Sequence, residues 1–413
     1  MTEREFPDGT RISVIEKPTG ESEVILSLDG KRISRTVIIP MFMRVGEAVV
    51  RMDGIGGVET DEAYRNRGYM RRVMDTCVEI MTSGDGAIST LFGIDNFYPK
   101  FGYTMAGPEC TVGVPIPDDI SDIPPIPVGW TFRPLTPEDL PAVMRIYHLA
   151  TKTATGALRR HEEPDEPEWA HRFAKSSVRS TKIGVRAWNK MQRVFDPNSK
   201  DACKVLVDAA GDIVAYAWEA MLENWWMFVR RRDFPNSFHL AEVMATSTTA
   251  ADVIVSACQL WAKDAKPDAD RVDIAIPPEG YVASAAFYEG GMVLQENVKN
   301  GDFMCRTLNT GQLVTQMQPE FAARLRSSSL NVCGRITFKT DMGDASFTVS
   351  NSGAGDEIII DLPQDTLARL CLGAFETSDL LERLPHPPDK RTWEVMEVIF
   401  PRRNPHIYPL DRF

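Results

Sequence analysis

The sequence predicts a mixed α/β (α+β) protein of three consecutive units, of which the first two are diverged copies of one design. Its 413 residues are too many for a single domain of roughly 150 residues and correspond to two or three such domains. Strand-like runs alternate with amphipathic helical patterns, which is typical of α/β and α+β folds. A stretch with five prolines at 115–129 separates two such alternations and is predicted to be an extended linker, because proline fixes φ and removes a backbone donor.

The first unit, residues 1–114, is predicted to contain strands, one helix, a further strand and a helical turn. Asp29-Gly30, flanked by strand-like runs, is a strong hairpin signal. The strand Ala48–Met52 is followed by Gly54, Gly56 and Gly57, and glycines inside a strand pattern mark a bulge or a close approach of a ligand. Apolar residues then recur at helical spacing at Met70, Val73, Met74, Cys77 and Met81. A strand over Ala87–Phe92 and a turn over Asn96–Phe101 complete the unit.

The second unit, residues 130–310, repeats this order. Cys258 in its predicted central helix corresponds to Cys77, and Phe287-Tyr288 corresponds to Phe97-Tyr98. Nineteen residues separate Val58 from Cys77, but only 15 separate the corresponding Val243 from Cys258. The missing residues fall where the first unit has a loop rich in arginine and glycine, so the second unit is predicted to be degenerate. The third unit, residues 311–413, has three strand-like runs and several helical patterns.

Charge and composition exclude several classes of function. With 46 Lys and Arg against 58 Asp and Glu, the net charge of −12 is unsuited to nucleic acid and to anionic membranes. The first residues have no apolar signal-peptide core, and no run of about 18 apolar residues occurs. Seven scattered cysteines without a C-x-x-C pair predict reduced, mostly buried thiols in a cytoplasmic protein. The six histidines form no ligand pair, so no metal is expected.

The loop Thr60–Met70 is the most informative stretch for function. It connects a strand to the amphipathic helix, and the N–H groups at a helix N-terminus favour a pyrophosphate. Gly68 allows a close approach of the backbone, and Arg65 and Arg67 add positive charge. The loop matches neither the dinucleotide fingerprint nor the P-loop motif. Taken alone, this fragment is better explained by solvated arginines near a turn.

In this context the first unit resembles a known family. The run Val58-Glu59-Thr60, the Arg65–Gly68 loop, the helix and strand, and the turn with Phe97-Tyr98-Pro99 resemble the acyl-CoA core of GNAT N-acetyltransferases. Thr136-Pro137-Glu138-Asp139-Leu140 resembles the start of a second such unit. With a third unit similar to a sterol carrier protein and the ending Leu410-Asp411-Arg412-Phe413, nearly the whole chain resembles the Eis-type (enhanced intracellular survival) acetyltransferases.

The resemblance implies two tandem GNAT acyltransferase domains followed by a small sterol-carrier-like α+β domain, with acetyl-CoA as cosubstrate. Backbone groups of Val58 and Thr60 would pair with the pantetheine arm. The residues that would hold the pyrophosphate are Arg65, Asn66, Arg67, Gly68, Tyr69 and Met70. Tyr98 would be the general acid for the departing thiolate, and the free carboxylate of Phe413 would be the base for the acceptor ammonium.

The acceptor implied is a primary amine of a small molecule or peptide, and a homo-oligomer is implied as well. Acidic residues at 162–166 suit a cationic acceptor. Tyr98 also fits a core tyrosine with a satisfied hydroxyl, and Phe413 also fits a buried plug. Two helices usually wall the acceptor site, but here only a short connection separates the runs Arg11–Glu16 and Val24–Leu28. Their absence favours a second hypothesis, a non-catalytic CoA- or lipid-binding regulatory protein.

Overall fold

The structure is a computed structural model that describes residues 2–17, 20–160, 202–220, 234–297, 300–350 and 355–413. The elements that begin the chain are β1 (Thr2–Glu5), β2 (Thr10–Glu16), β3 (Ser22–Leu28), β4 (Lys31–Val45), β5 (Ala48–Thr60), α1 (Tyr69–Thr82), β6 (Ile88–Ile94) and β7 (Thr104–Gly107). The next elements are β8 (Glu109–Pro115), β9 (Thr131–Pro134), α2 (Leu140–Ala150), β10 (Thr155–Leu158), β11 (Cys203–Val207), β12 (Ile213–Glu219), β13 (Ser237–Ala245), α3 (Thr248–Ala265), β14 (Arg271–Ile274), α4 (Tyr281–Tyr288), β15 (Met292–Glu296) and β16 (Asn300–Thr307). The last elements are α5 (Thr310–Ser327), β17 (Gly334–Thr340), β18 (Gly343–Ser350), β19 (Asp356–Asp361), α6 (Gln364–Leu372), α7 (Thr377–Glu382) and α8 (Lys390–Ile399).

The strands form three sheets, which confirms the mixed α/β prediction. The first sheet has the order β1-β2-β3-β4-β5-β6-β16-β7, with β10 paired to β4. The second has the order β15-β8-β14-β13-β12-β11-β9, and the third is β18-β17-β19. The predicted hairpin is confirmed, since Asp29 and Gly30 have φ values of 49° and 75° and join β3 to β4. Such paired positive φ values match the twist of the flanking strands.

The two larger sheets exchange a strand. β16 comes from the end of the second unit, yet it lies between β6 and β7 in the first sheet. β8 comes from the first unit, yet it lies between β14 and β15 in the second sheet. The boundaries expected from the sequence therefore do not follow the sheets, because a strand's apolar pattern carries no information about which sheet it joins.

The two larger sheets nevertheless share one plan. β5 and β6 are parallel neighbours connected through α1, and β13 and β14 are parallel neighbours connected through α3. Cys77 on α1 and Cys258 on α3 are both buried. All seven cysteines are unpaired and six of them are buried, as expected. Lys17, Gly20 and Glu21, the described residues between β2 and β3, form no helix.

The third sheet packs against α5 and α8 through a cluster of phenylalanines. Phe321 on α5 lies 5.2 Å from Phe400 and 5.4 Å from Phe347, measured between ring centroids. The unit is joined to the first sheet by α5, because Gln316 Oε1 accepts a hydrogen bond from the Arg51 N–H (2.7 Å) and Glu320 Oε2 accepts one from the Glu47 N–H (2.7 Å). In the described part of the chain, no helix is both long and apolar enough to span a bilayer.

Candidate active site

A deep cleft opens where β5 and β6 separate. The two strands pair only over Met52–Gly54 with Ile88–Thr90, whereas β5 continues to Thr60 with β4 as its partner on the other side. The cleft has a volume of about 1250 Å³ and is lined by β4, β5, β6, the loop before α1 and the turn at 98–101. Parallel strands that diverge in this way leave backbone groups available to an extended ligand.

β5 runs through Gly54, Gly56 and Gly57 without a break, and Gly57 lies in a β-bulge. Arg35 pairs with Glu59 but Val37 pairs with Gly56, so β5 holds an extra residue opposite Thr36. Gly57 takes up the strain with a φ of 60°, which suits glycine. The bulge turns the next residues towards the cleft, where the expected backbone ligands Val58 and Thr60 both lie on the wall.

The loop before α1 presents donors and positive charge to the cleft. Gly68 is the N-cap of α1 with a φ of 80°, and no side chain caps the first turn, so N–H groups of that turn stay available. Arg65, Asn66, Gly68, Tyr69 and Met70 line the cleft. The predicted ligand Arg67 does not line it, because its guanidinium lies 5.6 Å from the ring centroid of Tyr64.

Lys31 supports this loop and was not found from the sequence. Its Nζ lies 2.8 Å from Asp61 Oδ2 and 5.2 Å from the ring centroid of Tyr64. Tyr64 therefore contacts Lys31 and Arg67, and Asp61 also accepts a hydrogen bond from the Ala63 N–H at 3.1 Å. Lys31 directly follows the Asp29-Gly30 turn, and the sequence pattern there predicts a hairpin only.

Tyr98 lies at the inner end of the cleft. It begins the turn Tyr98–Phe101 and is only 8% exposed. Its ring lies directly over Gly93, where a Cβ would come within 2.3 Å of Tyr98 Cδ2. Burial raises the pKa of the Tyr98 hydroxyl to about 12, because the charged phenolate is poorly solvated there.

Phe413, from the far end of the sequence, lies beside β5 at Gly54 and Gly56. A Cβ on Gly54 would lie 2.7 Å from two ring atoms of Phe413, and one on Gly56 would lie 3.1 Å from its carboxyl carbon. The ring also contacts Phe92, with 6.0 Å between centroids. The absence of side chains at Gly54 and Gly56 thus makes room for the last residue of the sequence.

Tyr98 and Phe413 lie on opposite faces of the sheet. Tyr98 contacts Gly93 and Phe413 contacts Phe92, and neighbouring residues of a strand point to opposite faces. Tyr98 belongs to the apolar cluster that contains the buried side of α1, whereas Phe413 packs on the cluster that contains α5. Tyr98 lines the cleft, whereas Phe413 does not; Phe413 lies on the other face, next to the end of the β5–β6 pairing.

The comparisons with known proteins agree with this geometry. Residues 3–106 match the acetyltransferase (GNAT) domain family. The first unit is a GNAT acetyltransferase domain. The predicted enzyme class, a GNAT-family acetyltransferase, is therefore confirmed. No curated protein sequence matches the chain significantly.

Several solved structures share the fold of this protein over nearly its whole length. A probable N-acyltransferase of unknown function from Enterococcus faecalis has a TM-score of 0.65 at 13% identity, with 96% of this chain and 90% of that chain covered. A GCN5-related N-acetyltransferase from Anabaena variabilis has a TM-score of 0.62 at 16% identity, covering 95% and 89%. Eis1 from Mycobacterium abscessus has a TM-score of 0.56 at 13% identity, covering 95% and 91%. At these identities the similarity establishes the shared fold.

Proposed function

We propose that this protein transfers the acetyl group of acetyl-CoA to a primary amine of a cationic acceptor, in the manner of the Eis-type enzymes. The observation that carries the proposal is the position of Tyr98 and Phe413 on opposite faces of the first sheet, at the gap between β5 and β6. A thioester seated in that gap would have a proton donor on one side and a carboxylate on the other. The reaction needs both groups, one for the leaving thiolate and one for the incoming amine.

The cofactor side of the cleft suits the shape and charge of CoA. The first-turn N–H groups of α1, together with Arg65, Asn66 and Gly68, offer the donors that a pyrophosphate requires. Arg67 would join them by turning away from Tyr64, and Tyr69 and Met70 would complete the first turn of the site. The backbone of Val58 and Thr60 would pair with the pantetheine amides as an added strand.

Tyr98 would supply the proton for the thiolate. Its pKa of about 12 keeps the hydroxyl protonated, so the donor is always present. Full transfer to a thiolate with a pKa of about 8.5 is uphill by about 3.5 pKa units, or about 5 kcal/mol. Tyr98 therefore acts by donating a hydrogen bond that strengthens as the C–S bond breaks, and protonation completes as CoA leaves.

Phe413 would act on the acceptor side. Its carboxyl group, next to Gly56, would take a proton from the acceptor ammonium before the amine attacks the thioester. The acidic residues at 162–166, expected to attract a cationic acceptor, lie outside the described residues. The third sheet with its helices would be the sterol-carrier-like domain of this enzyme class, and the second unit would be the degenerate GNAT copy.

The competing function is that of a non-catalytic CoA-binding regulator. It is favoured by the short connection between β2 and β3, whose described residues form none of the helices that usually wall an acceptor site. The two functions differ in turnover but share CoA binding, so a binding measurement alone does not separate them.

The test is thiol release from acetyl-CoA in the presence of a panel of polyamines, aminoglycosides and lysine peptides. Tyr98→Phe should lower kcat about 10²-fold or more while the Kd of CoA stays within about twofold. The matched control is Tyr103→Phe, which removes a buried hydroxyl that bonds Ser89 at 2.6 Å outside the cleft and should retain kcat. Full activity of Tyr98→Phe would remove Tyr98 from the mechanism, and CoA binding with no turnover on any amine would favour the regulator.

A further inference from the structure

The segment that delivers Phe413 crosses the second unit before it reaches the first. The His406 N–H donates to the Thr155 carbonyl (2.9 Å), and His406 Nε2 lies 3.0 Å from the Ala275 carbonyl oxygen. Tyr408 and Leu410 are buried in the apolar core of the second unit. The backbone approaches so closely that a Cβ on Gly156 would lie 2.4 Å from the His406 nitrogen.

A fully buried ion cluster holds this segment two residues before Phe413. Arg160 Nη2 lies 3.0 Å from Asp411 Oδ2, and Arg160 Nη1 donates to Glu242 Oε1 at 2.8 Å. The side chains of Arg160, Glu242 and Asp411 are 1%, 0% and 2% exposed. Tyr147 donates to Asp411 Oδ2 at 3.1 Å, and Tyr216 donates to Glu242.

The cluster lies at the end of the parallel strand pairing of the second unit, beside the space that corresponds to the cleft of the first unit. β13 and β14 pair in parallel up to Leu240 and Ile274, and the residues that hold the terminal segment, Glu242 and Ala275, come immediately after that pairing. In the first unit the equivalent gap between β5 and β6 is open. In the second unit the terminal segment packs beside the equivalent gap, where an open space of about 410 Å³ is lined in part by Tyr408.

We propose that Arg160, Glu242 and Asp411 are positioning residues for the reaction, and that the second unit is retained to hold them. The proposal rests on the function proposed above, in which the Phe413 carboxylate is the base. Two residues span at most about 7 Å of extended chain, so fixing Asp411 confines the carboxyl group of Phe413 to the neighbourhood of Gly56. A buried arginine with two carboxylate partners defines one arrangement, because a displaced side chain would leave a buried charge without its partner.

The test combines kinetics with removal of the last residue by a carboxypeptidase that prefers aromatic ends. In Asp411→Asn we expect kcat to fall about tenfold or more, the KM for acetyl-CoA to stay within about twofold, and Phe413 to be released faster than from the wild type. The matched control is Asp273→Asn, which breaks a buried pair of the second unit (Arg271 Nη2–Asp273 Oδ1, 2.6 Å) that does not contact the terminal segment. It should leave both readouts unchanged.

Release of Phe413 at the wild-type rate from Asp411→Asn, or an equal loss of kcat in the control, would overturn the proposal. Faster release of Phe413 with unchanged kcat would confirm that Asp411 holds the terminal segment but would show that Phe413 is not the base. This outcome separates a failure of the positioning proposal from a failure of the proposed function. If Asp411→Asn does not fold, Arg160→Lys keeps the buried charge and loses the two-pronged geometry. The same measurements then apply to it, with a smaller fall in kcat and partial release of Phe413 expected.

Discussion

At Tyr98 the protein environment determines which protonation state exists. Burial raises the pKa of the hydroxyl to about 12, so the neutral form persists throughout the range in which an amine acceptor loses its proton. We therefore expect no descending limb in the pH profile of kcat/KM from Tyr98 below about pH 11. The profile should be measured for the wild type and for Tyr98→Phe with the same acceptor. A limb near pH 10 in the wild type that disappears in the variant would contradict this prediction.

Phe413 combines two properties that substitutions can separate. Its ring contacts Gly54 and Phe92, whereas its carboxyl group lies at Gly56. Adding two glycines after Phe413 moves the terminal carboxylate but keeps the ring, so kcat should fall about 10²-fold or more. Phe413→Ala keeps a terminal carboxylate and should lose less activity. Unchanged turnover in the extended protein would show that the carboxylate is not the base.

Most residues that sequence reasoning found at the site lie close together along the chain, whereas Tyr98 and Phe413 were expected only from the family resemblance. Positions 58–70 form one strand end, loop and helix start, so a local motif is enough to predict that they meet. Lys31 and Phe92 come from other elements, where the local patterns predict only strands, and no local pattern singled out Arg160. Their part in the site depends on β4 lying beside β5 and on the terminal segment crossing β10, which local sequence patterns do not encode.

At the scale of elements, β5 shows how a strand can carry several glycines. Gly57 forms the bulge, and Gly54 and Gly56 make room for Phe413. The sequence predicted an interrupted strand with either a bulge or a close approach, and the structure has both within one continuous strand. α8 was not predicted. It begins after Asp389, whose side chain accepts a hydrogen bond from the Thr392 N–H and which follows two consecutive prolines.

Gly54 offers a direct test of that contact. In Gly54→Ala the new methyl would lie 2.5 Å from Met41 Cε and 2.7 Å from the Phe413 ring, so the terminal residue must shift. We expect kcat to fall about tenfold and the free energy of unfolding to fall by about 1–3 kcal/mol, with CoA binding retained. Gly84→Ala is the control, because its Cβ would meet only backbone oxygens at 3.4 Å or more. An active Gly54→Ala protein would mean that the position of Phe413 does not affect turnover.

At the scale of the whole molecule, the first two units are joined through shared sheets and are not two independent domains. β16 supplies Phe303, Met304 and Cys305, all buried, to the first sheet, and β8 supplies Val112 and Val114 to the second. The terminal segment adds a third connection, because it packs in the second unit and ends beside β5 of the first. The repeated order of elements could be predicted from the sequence because local motifs recur, but the strand exchange could not, because it changes only the partners of the strands.

The exchange predicts that the first unit does not fold alone. A fragment of residues 1–129 lacks β16, and burying its three apolar side chains is worth about 5 kcal/mol, which is comparable to the whole stability of a typical domain. β6 and β7 would also lose the strand between them. We expect this fragment to show no cooperative thermal transition by circular dichroism and no CoA binding, and co-expression with a 130–413 fragment to restore both. A monomeric 1–129 fragment that unfolds cooperatively and binds CoA would show instead that β7 can pair directly with β6, so that the exchange is a late rearrangement rather than a condition of folding.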